Sequence, residues 1–129
     1  MNIELTKLLS FLMEQNQAPA GTDNQAAYNI GDEMIGKWVI IRTRTAGVWY
    51  GKLAEKNRNE VILTSARRMW RWWAAESISL SAVAVHGIDP SRSKICGPVA
   101  SVWLEAIEII PTTTNASQSI DGCSHAQAE

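Results

Sequence analysis

EVILTSARRMWRWW, residues 60–73, is the stretch that decides the fold. Its β-branched and aromatic residues favour a strand, and the polar turn NRN (57–59) separates it from a second such run, GVWYGKLAEK (47–56). The same enrichment in β-branched and aromatic residues occurs in KWVIIRT (37–43) and VASVWLEAIEIIP (99–111). The pattern therefore predicts a meander of short strands that is followed, later in the chain, by one more strand.

The segment ESISLSAVAVHG (76–87) fits two kinds of structure. Its apolar residues alternate from Ile78 to Ala84 as they do in a strand. The spacing of Ile78, Ala82 and Val85 also suits a helix that the final glycine would end. The periodicity by itself leaves both structures open.

The two ends of the chain differ from its centre. Residues 1–16 place Ile and Leu three and four positions apart, which predicts an amphipathic helix that must dock, and residues 17–31 have the Pro, Gly and Asn content of a linker. We therefore expect an appended N-terminal helix and linker over 1–35, a folded domain over 36–111, and a disordered tail over 112–129, where core-forming residues are scarce.

Charge is distributed unevenly along the chain. Residues 37–94 hold eleven Lys or Arg and four Asp or Glu, whereas the rest of the 129 residues hold one Lys and nine acids, and the net charge is −1. A basic centre favours an anionic partner. A total charge near zero disfavours the wide positive surface of a non-specific duplex binder.

Several classes of protein are disfavoured by composition. No apolar run is long enough to cross a bilayer and no basic lead precedes a cleavage site, so we expect a cytoplasmic protein without a membrane partner. Cys96 and Cys123 are far apart and predict free thiols. His86 and His125 are the only histidines, and no metal-ligand spacing, nucleophile elbow or Gly-rich phosphate loop occurs. We expect no catalysis, no metal and no cofactor.

ARRMWRWW (66–73) concentrates three arginines and three tryptophans within eight residues. On a strand the side chains alternate, so one face carries Arg67, Met69, Arg71 and Trp73 and the other carries Arg68, Trp70 and Trp72. Guanidinium groups bind phosphate oxygens, and a Trp ring stacks a base with about 1–3 kcal/mol. The stretch therefore fits nucleotide binding. The alternative is ordinary core Trp with exposed Arg in cation–π contacts worth about 0.5–1 kcal/mol.

IIRTRTAG (40–47) offers a second group of candidate residues. Arg42 and Arg44 share one strand face at the entrance to the turn at Gly47, although for these two residues taken alone a solvated face is the favoured interpretation. Trp38 and Trp103 stand alone in apolar strands, and for these two we expect core packing.

Three sequence blocks follow one another between residues 38 and 111: VIIRTRTAGVWYGKL, EVILTSARRMWRWWAAESISLSAVAVHGI and EAIEIIP. In order and spacing, these blocks resemble the phage-encoded Thoeris anti-defence sponge proteins of the first type described. The combination of R-T-x-x-A-G-V with A-R-R-x-W-x-W carries the resemblance. Residues 1–35 and the tail lie outside it.

The resemblance implies a fold, a function and an assembly. The fold is α+β, a small antiparallel β-sheet with one or two packed helices, in which residues 76–87 form a helix. The function is non-enzymatic sequestration of a cyclic ADP-ribose isomer made by a bacterial TIR-domain immune enzyme. Some members also trap cyclic di- or trinucleotides of another immune pathway at a separate site. The proteins assemble as dimers or as hexamers of three dimers.

Under this resemblance the ligand-binding residues fall into three groups. Candidates for phosphate binding are Arg67, Arg68 and Arg71. Candidates for base stacking are Trp70 and Trp72. A second contact region comprises Arg42, Ala46, Gly47 and Val48. We expect replacement of Arg67 or Arg68 by Ala to remove ligand binding and to leave the fold intact.

Two other functions use the same side chains. A small β-barrel that binds single-stranded nucleic acid would use the Arg and Trp residues as a stacking groove. A phage assembly protein would use the Trp cluster as an interface between its own subunits. The sequence leaves open these alternatives, the preferred cyclic nucleotide, the number of sites and the choice between dimer and hexamer.

Overall fold

The computed structural model describes residues 29–126. A short 3-10 helix spans Asp32–Met34. The other elements are β1 (Trp38–Thr43), β2 (Val48–Asn57), β3 (Glu60–Arg71), α1 (Leu80–His86), β4 (Lys94–Ile95), β5 (Val99–Pro111) and α2 (Thr114–Asp121). The predicted α+β class, with an antiparallel sheet and two helices, is confirmed. The predicted N-terminal helix over residues 1–16 lies outside the described residues.

The strands form a closed ring. β2 pairs with β1 and with β3, and β5 also pairs with β1 and with β3, so that the four antiparallel strands close into a ring. β4 pairs with the end of β3 and forms the outer edge. The sequence predicts the strands and the tight turn between β2 and β3, whereas the closure depends on pairing between strands far apart in the chain.

Two apolar clusters lie on opposite sides of the ring. The first contains strand residues alone and fills the interior: Val39, Ile41, Trp49, Leu53, Val61, Leu63, Ala66, Leu104 and Ala106. The second lies between the outside of the ring and the two helices: Ile40, Tyr50, Met69, Leu80, Val83, Ala84, Ile88, Ile95 and Ile120. Alternate strand residues feed the two clusters because successive side chains of a strand point to opposite faces.

A β-bulge at Ser65 sets which residues of β3 face the interior. Ser65 has φ +49°, and the register between β2 and β3 shifts at this point. Leu63 and Ala66 therefore both face inward. The alternation beyond the bulge places Arg67 and Met69 on the helix side and Arg68 on the interior side, as predicted for these three residues. Trp72, predicted on the face of Arg68, lies beyond the end of β3 and packs against the helix-side cluster instead.

The helices settle one open question and overturn one prediction. Residues 80–86 are helical, so the segment does contain the helix that the resemblance implies, but residues 76–79 precede the helix. The prediction that residues 112–129 are disordered is wrong, because α2 occupies Thr114–Asp121 and its Ala116 and Ile120 are 0% exposed. Ile120 belongs to the second cluster, and Ala116 is buried one helical turn before it. A composition average over the tail conceals this pair.

The cap of α1 gives a test of the local structure. The Ser79 hydroxyl accepts a hydrogen bond from the Ala82 N–H and satisfies one of the free donors of the first turn. We expect Ser79→Ala to lower the free energy of unfolding by about 1 kcal/mol in urea denaturation. Ser79→Asn keeps an accepting side chain and is the control. Equal losses in both variants would contradict the capping role.

Candidate functional site

Arg67 is buried and bonded to the protein through all of its donors. It is 4% exposed, and its five N–H groups donate to five backbone carbonyls. Two acceptors, Ile95 and Cys96, lie at or just after the end of β4. The other three lie at the end of α2 or just after it: Ile120, Asp121 and Cys123. The distances run from 2.7 Å at Cys96 to 3.3 Å at Ile95 and Asp121. In this arrangement Arg67 holds β3, β4 and α2 together and has no N–H left for a phosphate.

Arg68 has the opposite environment. It is exposed, its guanidinium carbon lies 4.4 Å from the centre of the Trp49 ring, and Nη1 donates to the Ala46 carbonyl at 2.8 Å. Trp49 is buried inside the ring, and its indole N–H donates to the same carbonyl at 3.0 Å. The Ala46 oxygen therefore joins a buried aromatic platform to an exposed cation at one end of the ring.

The turn that supplies Ala46 is itself hydrogen-bonded. The Thr43 hydroxyl donates to the Gly47 carbonyl and accepts from the Ala46 N–H, both at 2.8 Å. Gly47 has φ +85°, a conformation that favours glycine, and a Cβ built there would lie 3.6 Å from Arg68 Nη1. Short-range bonds thus fix the turn before any ligand arrives.

The tryptophans of the stretch divide between surface and core. Trp70 is 64% exposed, with Lys94 Nζ 5.9 Å from its ring centre. Trp73 is 45% exposed, and the guanidinium carbon of Arg92 lies 3.6 Å from its ring centre. Trp72 is half-buried and packs against the helix-side cluster. Trp70 thus has the exposed ring that base stacking requires, while Trp72 contributes to packing.

Other predicted contact residues lie on a different face. Arg42 Nε donates to Glu108 Oε1 at 2.8 Å on the outside of the ring. Its cross-strand partner Val48 packs against the helix-side cluster. Arg71 is exposed at the end of β3, opposite Lys94. The structure places Ala46 and Gly47 beside Arg68, and Lys94 near the ring of Trp70, two residues further along β3. We call these five residues the Arg68 surface.

Residues 36–120 match the family described as a domain of unknown function, DUF6948. The match covers more than half of the chain. The chain belongs to the DUF6948 family. No curated protein and no solved structure matches it. The DUF6948 match takes in the closed ring, β4 and nearly all of α2, so the whole Arg68 surface lies within the family's domain.

Two members of the site are absent from the residues chosen on sequence. Trp49 lies under Arg68, which follows it by 19 positions in the sequence. Lys94 approaches Trp70, which precedes it by 24 positions. The signal for Trp49 lies in its position beside the Gly47 turn, since a residue there pairs across to the ARRMWRWW strand. Nothing local marks Lys94, because its place depends on β4 returning to the end of β3.

Two surface depressions of the DUF6948 domain lie away from the Arg68 surface. One, of about 240 Å³, lies at the β2–β3 turn and is lined in part by Trp103. Trp103 is 54% exposed and donates to Glu60, so the prediction that it packs in the core is wrong. The other, of about 420 Å³, runs along α2 beside Trp38. Trp38 is half-buried and stacks on Tyr50, in keeping with its predicted packing role.

The remaining chemistry of the domain is sparse. Within residues 29–126, no three His, Cys, Asp or Glu side chains lie close enough to hold a metal ion. Cys96 and Cys123 are free thiols, as predicted. None of the helices in this part of the chain is both long and apolar enough to span a membrane.

Proposed function

We propose that this DUF6948 protein binds a nucleotide at the Arg68 surface and holds it without cleaving it. The proposed ligand is a small cyclic nucleotide, first a cyclic ADP-ribose isomer, with cyclic di- and trinucleotides as further candidates. In this proposal the protein is a phage anti-defence sponge that removes an immune signal in the cytoplasm of the infected bacterium. The resemblance to the sponge proteins supplies the ligand class, and the site supplies the chemistry.

The observation that carries the proposal is the prearranged guanidinium of Arg68. Its stacking on Trp49 and its bond to Ala46 restrict the side chain, while within residues 29–126 the structure gives it that single hydrogen bond. N–H groups therefore remain for phosphate oxygens, to which guanidinium forms strong charge-assisted bonds. Because the side chain is already ordered, binding loses less conformational entropy.

The neighbouring residues fit the other parts of such a ligand. Trp70 follows Arg68 by two positions along β3, a separation of about 7 Å, and lies at a register shift between Met69 and Arg71. A base stacked on the exposed ring of Trp70 would thus leave its phosphates within reach of Arg68. Lys94 adds positive charge beside that ring. A dinucleotide-like signal, with an adenine and a pyrophosphate, presents both groups at a comparable separation.

Tight retention requires that the site be closed. Sequestration at submicromolar signal levels needs about −9 to −12 kcal/mol, which a surface open to water does not reach with one cation and one ring. We therefore include self-association in the proposal, as a dimer or a hexamer, with a second copy covering the exposed Trp70 and Trp73. Burying these two rings also removes apolar surface from water.

A second candidate function is the binding of single-stranded nucleic acid. The observation that favours it is the pairing of exposed rings with cations along one edge, Trp70 with Lys94 and Trp73 with Arg92, on a closed ring of strands. Small β-barrels that bind single strands combine stacking rings and basic side chains in this way. An extended strand would occupy the edge without needing a closed pocket.

Calorimetric titration separates the candidates. The ligands are a cyclic ADP-ribose isomer, a cyclic trinucleotide, and DNA oligonucleotides of 4 and 16 nucleotides, at low and high salt. The sponge proposal expects submicromolar binding of one cyclic nucleotide, modest salt dependence, and release of the intact ligand on heating. Affinity that grows with oligonucleotide length and falls steeply with salt would support strand binding instead. A converted ligand would mean catalysis, and no effect of any nucleotide on Tm would support an assembly protein.

A further inference from the structure

The groove along α2 has the build of a second, separate binding site. It has a volume of about 420 Å³, which lies in the range of small-molecule sites. It is formed by the start of β1, the end of β5 and one side of α2. Its helix wall comprises Thr114, Ser117, Gln118 and Asp121, which recur at helical spacing on one polar face. We call it the α2 groove.

Trp38 gives the α2 groove an aromatic wall. Its ring stacks on Tyr50, with centres 5.4 Å apart and planes 17° apart. A ring already covered on one side presents its other face or its edge to the groove. Tyr50 is fully buried and donates to Asp121 Oδ2 at 3.2 Å, so the stack is tied to the helix wall. Burial raises the pKa of Tyr50 to about 12, which keeps this hydroxyl protonated at neutral pH.

Charge distinguishes this groove from the Arg68 surface. Its charged lining residues are one cation, Lys37, and one anion, Asp121. The other polar groups are neutral hydroxyls and an amide, among them Thr112 Oγ1 and Ser117 Oγ, 2.6 Å apart. A lining without excess positive charge does not favour a polyphosphate. Hydroxyl, amide and carboxylate groups beside an aromatic ring suit a neutral ligand that carries many hydroxyls.

We propose that the α2 groove binds a neutral polyhydroxylated ring, a hexopyranose unit. The C–H face of the sugar would lie on Trp38, because those hydrogens carry partial positive charge and the face of an aromatic ring is negative. Its hydroxyls would donate to the Asp121 carboxylate, accept from the Lys37 ammonium, and both donate to and accept from the Gln118 amide. The site is independent of the Arg68 surface, with which it shares no residue.

Titration by NMR with cellotriose and with triacetylchitotriose tests the proposal, with the Trp38 indole N–H as reporter. At least one sugar should shift this resonance, with a dissociation constant on the order of 1 mM. Gln118→Ala should weaken binding about three- to tenfold, since Gln118 is exposed and lines the groove. Asn115→Ala is the matched control, because Asn115 is exposed on α2 but is not a lining residue, and it should bind normally.

Further variants keep the test decisive. Trp38→Phe retains a packed ring and should weaken binding less than Trp38→Ala, for which the loss should be about tenfold in protein that remains folded. Arg68→Ala should leave sugar binding unchanged, which separates this site from the nucleotide site. The proposal is overturned if neither sugar shifts the Trp38 resonance at about 10 mM, a concentration well above the expected constant. It is also overturned if adenosine binds there more tightly than both sugars, or if Gln118→Ala and Asn115→Ala behave alike.

Discussion

Arg67→Ala is expected to lower the free energy of unfolding by about 3–5 kcal/mol, a large part of the stability of a small domain. The side chain is 4% exposed and donates to five carbonyls from β4, α2 and the residues that follow α2. The variant removes these five bonds, although the Ile95 and Ile120 carbonyls keep the bonds that they accept from the Ala126 and Cys123 N–H groups. It also opens a cavity between the elements. Urea unfolding followed by circular dichroism measures the change.

This result would differ from the sequence-based expectation that Arg67→Ala removes ligand binding and spares the fold. The neighbouring Arg68→Ala is the control, since that side chain is exposed and its loss should change the free energy of unfolding by less than about 1 kcal/mol. Arg67→Lys should fall between wild type and Arg67→Ala, because an ammonium retains the charge but reaches fewer carbonyls. Equal stability of Arg67→Ala and Arg68→Ala would contradict the structural role of Arg67.

Arg68→Ala is expected to weaken nucleotide binding by about 10- to 100-fold, which corresponds to the loss of a charge-assisted hydrogen bond to phosphate. The reason is its position, exposed over Trp49 and anchored to the Ala46 carbonyl. Calorimetry with the cyclic nucleotide that the wild-type protein binds most tightly measures the effect. Tm should change little, so that a loss of binding cannot be attributed to unfolding.

Arg42→Ala is the matched control for that experiment. Arg42 belongs to the contact region predicted from sequence, but it is paired with Glu108 on the outside of the ring. We expect its replacement to change affinity by less than about threefold, in line with a surface ion pair. A larger loss in Arg42→Ala than in Arg68→Ala would place the ligand on the other face and would reject the Arg68 surface as the nucleotide site.

Much of the fold follows from patterns within short stretches of sequence. Alternating apolar residues and the NRN turn predict β2 and β3, and the same alternation separates Arg67 and Met69 from Arg68. Helix α1 ends before a Gly, as its sequence indicates, but it begins at Leu80 after the N-cap Ser79, four residues later than the resemblance implies. The tail is ordered although its composition is polar, because α2 docks through the buried Ala116 and Ile120 and through carbonyls that accept from Arg67.

The sequence by itself determined the strands, the basic centre and the presence of two adjacent arginines, for both of which it predicts phosphate binding. Only the tertiary structure decided that Arg67 is a buried clamp and Arg68 an exposed, prearranged cation. The two residues have the same side chain and nearly the same neighbours in sequence. Their difference arises because β4 and α2 bring carbonyls that lie 28 or more residues away to one face of β3. The turn before β2 and the start of β2 bring Ala46 and Trp49 to the other face. Local propensity cannot encode such long-range contacts, since they depend on how the closed ring brings distant backbone together.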